Sequence, residues 1–275
     1  MSRRPGAVPS SFRATVTALW VATLVAACSS TSTTAASSPN SAAASSASGT
    51  EGAITVFAAA SLKKTFTELG DTYEKENPGS TVTFNFAGSS DLVTQLIGGA
   101  PADVFASADT ANMTKATAAG VVAGQPVNFA TNTLTIITKP GNPKGIGSFA
   151  DLNKAGVDVV VCAPQVPCGS AAEKIEAAAG VTLKPVSEEN SVTDVLNKVV
   201  NGDADAGLVY VTDASAAGDA VTTVGFPEST KVVNTYPIAT LTGAAQPASA
   251  TKFVGLVTGP EGQQVLAAAG FKPAP

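Results

Sequence analysis

Short runs of β-branched and aromatic residues alternate along the chain with amphipathic stretches of helical period. The apolar runs predict strands at residues 54–58, 81–86, 103–107, 133–138, 158–161, 206–211 and 232–240. The amphipathic stretches predict helices at residues 62–77, 91–97, 110–119, 170–179, 192–200, 248–257 and 261–269. Strands that alternate with helices in this way indicate an α/β fold with mostly parallel sheets.

The order of these elements also predicts how the chain is divided. Two similar strand-and-helix series follow one another, and we interpret the turn-forming segment 139–143 between them as a crossover. We therefore predict two lobes, each a sheet flanked by helices, with a ligand cleft between them. Lobe 1 is predicted to comprise residues 53–132 and 236–275, and lobe 2 to comprise residues 133–235.

The first 27 residues have the pattern of an export signal rather than of a folded element. Three arginines precede an apolar run at 14–27, which is too short to span a bilayer as a helix. The run ends in Val-Ala-Ala followed by Cys28, a sequence that resembles the bacterial lipobox. We predict a lipoprotein signal peptide at 1–27 and lipidation of Cys28, which would anchor the protein at the extracytoplasmic face of the cell membrane.

Residues 28–52 follow the predicted lipid attachment and are almost entirely small and polar. Serine, threonine, alanine and glycine dominate this segment, which therefore has too little apolar surface to fold. We predict a flexible tether that holds the folded part of the protein near the membrane.

Charge and composition exclude several classes of function. Removal of residues 1–27 takes away every arginine and moves the formal charge from −5 to −8, which disfavours nucleic acid as a partner. The lack of arginine also disfavours a clamp for organic acids. The chain has no histidine, which excludes most zinc sites and every Ser-His or Cys-His nucleophile. We expect no cofactor.

Two further groups of residues have candidate metal chemistry. Cys162 and Cys168 are most simply a disulfide in an exported protein. Metal binding is the rival interpretation, but two thiols alone make an incomplete metal site. Four aspartates are scattered over separate loops, where we expect solvated or capping roles rather than a divalent-metal site: Asp103, Asp109, Asp205 and Asp213.

Polar residues stand at four predicted helix starts, and a helix start favours anions. Its first N–H groups lack intrahelical partners and lie at the positive end of the helix dipole. The positions are Ser61, Ser89, Cys168 and the Asn190-Ser191-Val192 turn, while Tyr210 ends a strand and has a phenol O–H to donate. The alternative is that each serine is an ordinary N-cap and Tyr210 a packing residue. Spacing along the chain does not decide whether these positions converge.

Several blocks of sequence resemble the periplasmic molybdate-binding family of ABC transporters. The similarity covers residues 53–273 and is carried by ITVFAAASL at 54–62, FAGSS at 86–90, GAPADVFASAD at 99–109, VPCG at 166–169, GLVYVTDA at 207–214 and YPI at 236–238. The resemblance implies a two-lobed periplasmic-binding-protein-like fold, no enzymatic activity, a monomer, and an ABC permease as partner. It also implies that molybdate is held by Ser61, Ser89, Cys168, Val192 and Tyr210. Many relatives have alanine where this chain has Cys168.

A shell that only donates hydrogen bonds suits a tetrahedral dianion, because the dianion accepts and has no proton to give. Molybdate and tungstate are nearly equal in size, so we expect both to bind, while the smaller sulfate and phosphate are rejected. Another tetrahedral oxyanion such as sulfate or phosphate is the alternative ligand. A remote alternative is a Ser/Lys acyl-enzyme, because Ser61 and Lys64 match S-x-x-K, although the companion motifs are missing.

Overall fold

The computed structural model describes residues 52–275, so the predicted signal peptide, the lipidation of Cys28 and residues 28–51 of the predicted tether lie outside the described residues. The strands in chain order are β1 (Ile54–Ala59), β2 (Val82–Ala87), β3 (Val104–Ala106), β4 (Val122–Asn132), β5 (Leu134–Thr138), β6 (Val159–Cys162), β7 (Ser187–Glu189), β8 (Ala206–Tyr210), β9 (Thr222–Val224) and β10 (Asn234–Leu241). The helices are α1 (Lys63–Glu76), α2 (Ser89–Ile97), α3 (Thr110–Ala118), α4 (Pro167–Ala179), α5 (Val192–Val200), α6 (Val211–Ala217), α7 (Pro247–Thr258) and α8 (Pro260–Ala268).

These strands form two five-stranded sheets, one in each lobe. The sheet of lobe 1 has the order β2-β1-β3-β10-β4, in which β1 is parallel to β2 and β3, and β10 is antiparallel to β3 and β4. The sheet of lobe 2 has the order β7-β6-β8-β5-β9, in which β6 is parallel to β7 and β8, and β5 is antiparallel to β8 and β9. The predicted two-lobed α/β fold is therefore confirmed, with mixed sheets.

The chain crosses between the two sheets before the segment 139–143 that we interpreted as the crossover. β4 ends at Asn132 in one sheet and β5 begins at Leu134 in the other, so Thr133 alone forms the first crossing. The prediction of a crossover at 139–143 was wrong, because that loop follows β5 and lies within lobe 2. Its turn residues include Asn142, which has a φ of 51°. The chain returns through residues 225–233 to β10, whose first residue, Asn234, pairs in the lobe 1 sheet two residues before the predicted return at 236. The lobe limits stay a proposal, with Asn234 and Thr235 assigned to lobe 1.

Lobe 1 is held together by an aromatic core beneath the sheet. Helix α1 presents Phe66, Leu69 and Tyr73 at helical spacing, and all three are fully buried. The rings of Phe66 and Tyr73 lie 6.0 and 5.7 Å from the ring of Phe253 in α7, in edge-to-face contacts. Full burial of one such side chain contributes roughly 1.5–3 kcal/mol. This packing fixes α1, and therefore the turn that precedes it, against the sheet.

Helix starts differ from the predictions by a few residues, and the differences affect the candidate site. α2 begins at Ser89, two residues earlier than predicted, and α4 begins at Pro167, three residues earlier. Proline suits the first helical position because it has no N–H to leave unsatisfied there. α1 is preceded by a 3₁₀ turn over Ala60–Leu62. Among residues 52–275, no helix combines the length and the apolar content that a membrane span requires.

Candidate anion-binding site

A small cavity lies between the two lobes, where strands of both sheets end and helices begin. It measures about 10 Å³ and is lined by residues of both lobes. The lining includes every site residue predicted from the sequence: Ser61, Ser89, Cys168, Val192 and Tyr210. The structure thus brings together the five positions whose convergence the sequence left open. Their role as ligands of an anion stays a prediction.

Small residues complete the lining, and among the described residues that line the cavity none is charged: the others are Ala59, Ala60, Ala87, Gly88, Ala108, Val166 and Pro167. A cavity of this size is far too small for an organic ligand, whose pocket commonly measures about 300–1,000 Å³. An ion held here is held by dipoles rather than by a buried cation, which avoids the cost of desolvating lysine or arginine.

Lobe 1 contributes two serines, both at helical turns that follow a strand. Ser61 lies in the 3₁₀ turn after β1, and its Oγ lies 3.1 Å from Tyr236 Oη, with either oxygen able to donate. Ser89 is the first residue of α2, and its Oγ accepts a hydrogen bond from the Ala108 N–H at 3.0 Å. Because Ser89 Oγ accepts that bond, its own proton stays available to a ligand.

Lobe 2 contributes two helix starts. Cys168 is the second residue of α4 and Val192 is the first residue of α5, so the N–H groups of both lack intrahelical partners. Ser191 is the N-cap of α5: its Oγ accepts from the Asp194 N–H at 3.3 Å. Ser191 is thus an ordinary N-cap. Its hydroxyl bonds the Asp194 N–H and does not engage the N–H of Val192.

A disulfide fixes the start of α4. Cys168 is bonded to Cys162, the last residue of β6, with their Cα atoms 5.6 Å apart, so the predicted disulfide is confirmed. The turn between them is tight, since a Cβ on Gly169 would lie 2.0 Å from the carbonyl oxygen of Ala163. The disulfide therefore ties the backbone that carries the Cys168 N–H to the central part of the lobe 2 sheet.

Tyr210 is the last residue of β8 and is 1 % exposed. Burial, reinforced by the nearby Tyr236, Asp109 and Asp213, raises its pKa well above 10, so the hydroxyl keeps its proton and can donate. The carboxylate of Asp213 accepts the Tyr210 N–H at 3.2 Å. Burial raises the pKa of Asp213 to about 7, against the opposing effect of that hydrogen bond.

The remaining aspartates have structural partners. Asp103 accepts the Thr55 N–H at 2.7 Å and the Gln246 N–H at 3.0 Å, which ties the start of β1 to the start of α7 at the end of the sheet away from the cavity. Asp109 caps α3. Asp205 pairs with two lysines. Residues 52–275 contain no group of three or more His, Cys, Asp or Glu arranged to hold a metal ion.

Sequence reasoning missed two features of this site. Asn234 and Tyr236 contact the predicted donors from β10, yet isolated polar residues in a strand have no periodic signal. The second feature is the contact of the lobes beside the cavity, where a Cβ on Gly88 would lie only 2.1 Å from the carbonyl oxygen of Asn190. A glycine directly before Ser89 was the available signal, because glycine permits close approach of another backbone.

Fold and site together define a two-lobed binding protein, and comparison with known proteins identifies its class. Residues 54–272 match the family model described as "Bacterial extracellular solute-binding protein", and the chain belongs to this family. It is 58 % identical over 227 residues to the "Molybdate-binding protein ModA" of Mycobacterium tuberculosis, an alignment that covers 82 % of this chain and 87 % of the relative. Ser61 and Lys64 therefore belong to a binding protein and not to an acyl-enzyme.

Solved structures share the fold at lower identity. The periplasmic molybdate-binding protein of Azotobacter vinelandii matches with a TM-score of 0.72 and 23 % identity, over 81 % of this chain and 100 % of that one. The sulfate-binding protein SubI of M. tuberculosis matches with a TM-score of 0.69 and 21 % identity, over 81 % of this chain and 87 % of that one. Because both proteins have this fold, the fold alone does not select the oxyanion.

Proposed function

We propose that the protein binds molybdate and tungstate outside the cytoplasm and delivers them to an ABC importer. The observation that carries the proposal is the convergence of five donor positions from both lobes on one uncharged cavity. The 58 % identity to a molybdate-binding protein supports the choice of ligand. The oxyanion is cargo, so the protein needs no resident cofactor.

The proposed donors match the chemistry of a tetrahedral dianion. Ser61 and Ser89 offer a hydroxyl and a backbone N–H each, Cys168 and Val192 offer backbone N–H groups, and Tyr210 offers a phenol O–H. All of them donate, and the dianion has only acceptors. Hydrogen bonds to a charged group contribute about 1.5–3 kcal/mol each, so several of them offset the dehydration of the ion.

Selectivity in this proposal comes from distance. The donors are attached to helix starts, to a disulfide-linked turn and to a strand end. Their positions are therefore fixed, and they cannot move closer together around a smaller ion. Sulfate and phosphate leave some donors beyond hydrogen-bond reach, and the proton of monohydrogen phosphate finds no acceptor. Sulfate stays the principal alternative ligand, because a sulfate-binding protein has the same fold.

We also propose how the protein is held and with what it works. Lipidation at Cys28, after removal of residues 1–27, anchors a monomer outside the membrane, and residues 28–52 tether it within reach of the permease. In the native bacterium, Cys28→Ser is expected to release the protein into the soluble extracytoplasmic fraction. Retention of the variant in the membrane fraction would count against the anchor without affecting the ligand assignment.

The ligand assignment is tested by calorimetric titration of the mature protein with molybdate, tungstate, sulfate and phosphate at equal ionic strength. Saturable binding of molybdate and tungstate at one site, with sulfate and phosphate at least about a hundredfold weaker, supports the proposal; that ratio corresponds to about 2.7 kcal/mol. Sulfate or phosphate binding as tightly as molybdate would make the protein a carrier of another oxyanion. If none of the four anions binds, the proposed anion site is refuted.

A further inference from the structure

Asn234 lies at the junction of the two lobes and contacts the cavity lining from both. It is the first residue of β10 and is 7 % exposed. Its Nδ2 donates to Tyr210 Oη in lobe 2 and to the Ala108 carbonyl oxygen in lobe 1, both at 3.0 Å. A third contact, 3.5 Å long, joins Nδ2 to the Pro167 carbonyl oxygen. Each of these three partners lines the cavity.

The partners fix which way the amide points. Carbonyl oxygens only accept, so the NH₂ end of Asn234 faces Ala108 and Pro167. Two amide protons serve the two contacts at 3.0 Å, and the contact at 3.5 Å is the weak one. Tyr210 Oη is therefore an acceptor from Asn234. Its phenol proton is left for Tyr236 Oη, the other hydrogen-bond partner of Tyr210, or for an anion that replaces that partner.

The contact with Ala108 extends this effect to the donors of lobe 1. Asn234 holds the carbonyl of Ala108, while the N–H of the same residue donates to Ser89 Oγ at 3.0 Å. In lobe 2, the Pro167 carbonyl belongs to the same planar peptide as the Cys168 N–H and points the opposite way. One buried amide thus contacts Tyr210 directly and touches the groups that hold Ser89 and Cys168.

We propose that Asn234 is a positioning residue for the oxyanion site, whose amide turns the Tyr210 hydroxyl proton toward the anion and holds the donors of both lobes in register. This inference rests on the proposed function. Asn234 acts through other residues and does not itself contact the ion. Because it sits where the chain returns to lobe 1, it forms its full set of hydrogen bonds only when the lobes are closed.

The chain offers a matched control in Asn132, the partner of Asn234 across strands β4 and β10. Asn132 is 4 % exposed, and its Nδ2 donates to Thr212 Oγ1 at 2.8 Å. Its other hydrogen bonds go to Thr133 and Tyr236, and not to any of the five predicted donors. A purely structural role for a buried interlobe amide predicts the same behaviour for both asparagines.

The first test compares molybdate affinity in the wild type, Asn234→Ala and Asn132→Ala, together with the melting temperature of each protein without ligand. We expect both variants to melt lower, Asn234→Ala to bind molybdate at least about tenfold more weakly, and Asn132→Ala to lose less than about threefold. Equal losses of affinity in the two variants would overturn the inference. If Asn234→Ala folds poorly, Asn234→Leu keeps the approximate shape without the donor and without adding a charge, and the same loss is expected.

The second test is a double-mutant cycle with Tyr210→Phe, which separates positioning from general support. If Asn234 acts through the Tyr210 hydroxyl, Asn234→Ala costs at least about threefold less affinity when that hydroxyl is already absent. The same cost in both backgrounds contradicts the inference. A wild type that binds no molybdate refutes the proposed function instead, whereas a wild type that binds and an unaffected Asn234→Ala refute only the role of Asn234.

Discussion

Asn132 and Asn234 lie opposite each other on antiparallel strands, at the two points where the chain leaves and re-enters lobe 1. Asn132 donates to Thr212 and Asn234 donates to Tyr210, so each side-chain amide crosses to lobe 2. Two buried hydrogen bonds therefore join the lobes at the hinge, and the one from Asn234 reaches the candidate site. We therefore expect closure of the lobes to assemble the donors from both sides of the cavity.

Gly88 gives a way to oppose closure without unfolding either lobe. In Gly88→Ala the new Cβ would lie 2.1 Å from the Asn190 carbonyl oxygen, which belongs to the other lobe, so an open cleft relieves the clash. We expect the melting temperature without ligand to change little and molybdate affinity to fall at least about tenfold. Calorimetry and a melting curve measure the two quantities.

Gly169→Ala is the matched control, since its Cβ would lie 2.0 Å from the Ala163 carbonyl oxygen within lobe 2. Opening the cleft does not relieve that clash, so this variant is expected to lose stability without ligand. If Gly88→Ala is destabilised as much as Gly169→Ala, the contact at Gly88 is not relieved by lobe opening and the account of closure is wrong.

Two adjacent serines at the start of α2 test the donor assignment. Ser89 lines the cavity, whereas Ser90 does not, and the buried Ser90 Oγ has no hydrogen-bond partner among the described residues. Ser89→Ala is expected to weaken molybdate binding about tenfold or more. Ser90→Ala is expected to leave affinity unchanged and to keep or raise the melting temperature, because it removes an unpaired buried hydroxyl. The opposite order of effects would reject Ser89 as a ligand.

Removal of the disulfide is expected to affect stability more than affinity. The double variant Cys162→Ala with Cys168→Ala should lose about 2 kcal/mol of unfolding free energy for so short a loop, measured by denaturant titration. Affinity should fall only modestly, because the donor at Cys168 is the backbone N–H and any side chain supplies it. An abolished affinity in a variant that still folds would show that the disulfide itself shapes the site.

The buried Asp213 predicts a pH-dependent stability. Its pKa is about 7 in the folded protein, above the ordinary value of 3.8, so the stability that it contributes is fully present below about pH 4 and is lost as pH rises toward 7. The full shift corresponds to roughly 4 kcal/mol. The unfolding free energy of the wild type minus that of Asp213→Asn should therefore decrease as the pH rises from 4 to 7. A difference that is constant with pH would contradict burial as the cause.

Most helices and strands were predictable because serine, glycine and proline mark their ends. β4 was missed, since Gly124 and Pro126 interrupt its apolar pattern. α6 was missed because it begins directly after Tyr210, with no turn residue between strand and helix. Because β4 was missed, no strand was predicted directly before the one at 133–138. The turn-forming segment 139–143 was therefore interpreted as the crossover.

The candidate site, too, was predictable only where a residue has a local sequence signal. Ser61, Ser89, Cys168 and the turn before Val192 were identifiable because helix starts have a local signature. Tyr210 was a candidate at a strand end, and the resemblance to a known family supplied the expectation that these positions act together. Convergence on one cavity depends on how two sheets pack, which no local pattern records. Asn234 was not identifiable at all, because its role arises from contacts with Ala108 and Tyr210, 126 and 24 residues away in the chain.

The central claim is that an oxyanion sits in the cavity between the lobes and is held by donors from both. A crystal structure of the mature protein grown with molybdate, located by the anomalous signal of molybdenum, tests it most directly. The account predicts one ion in the cavity, with Ser61, Ser89, Cys168, Val192 and Tyr210 each donating over about 2.7–3.2 Å. An ion bound elsewhere, or in the cavity but contacted by one lobe only, would contradict it.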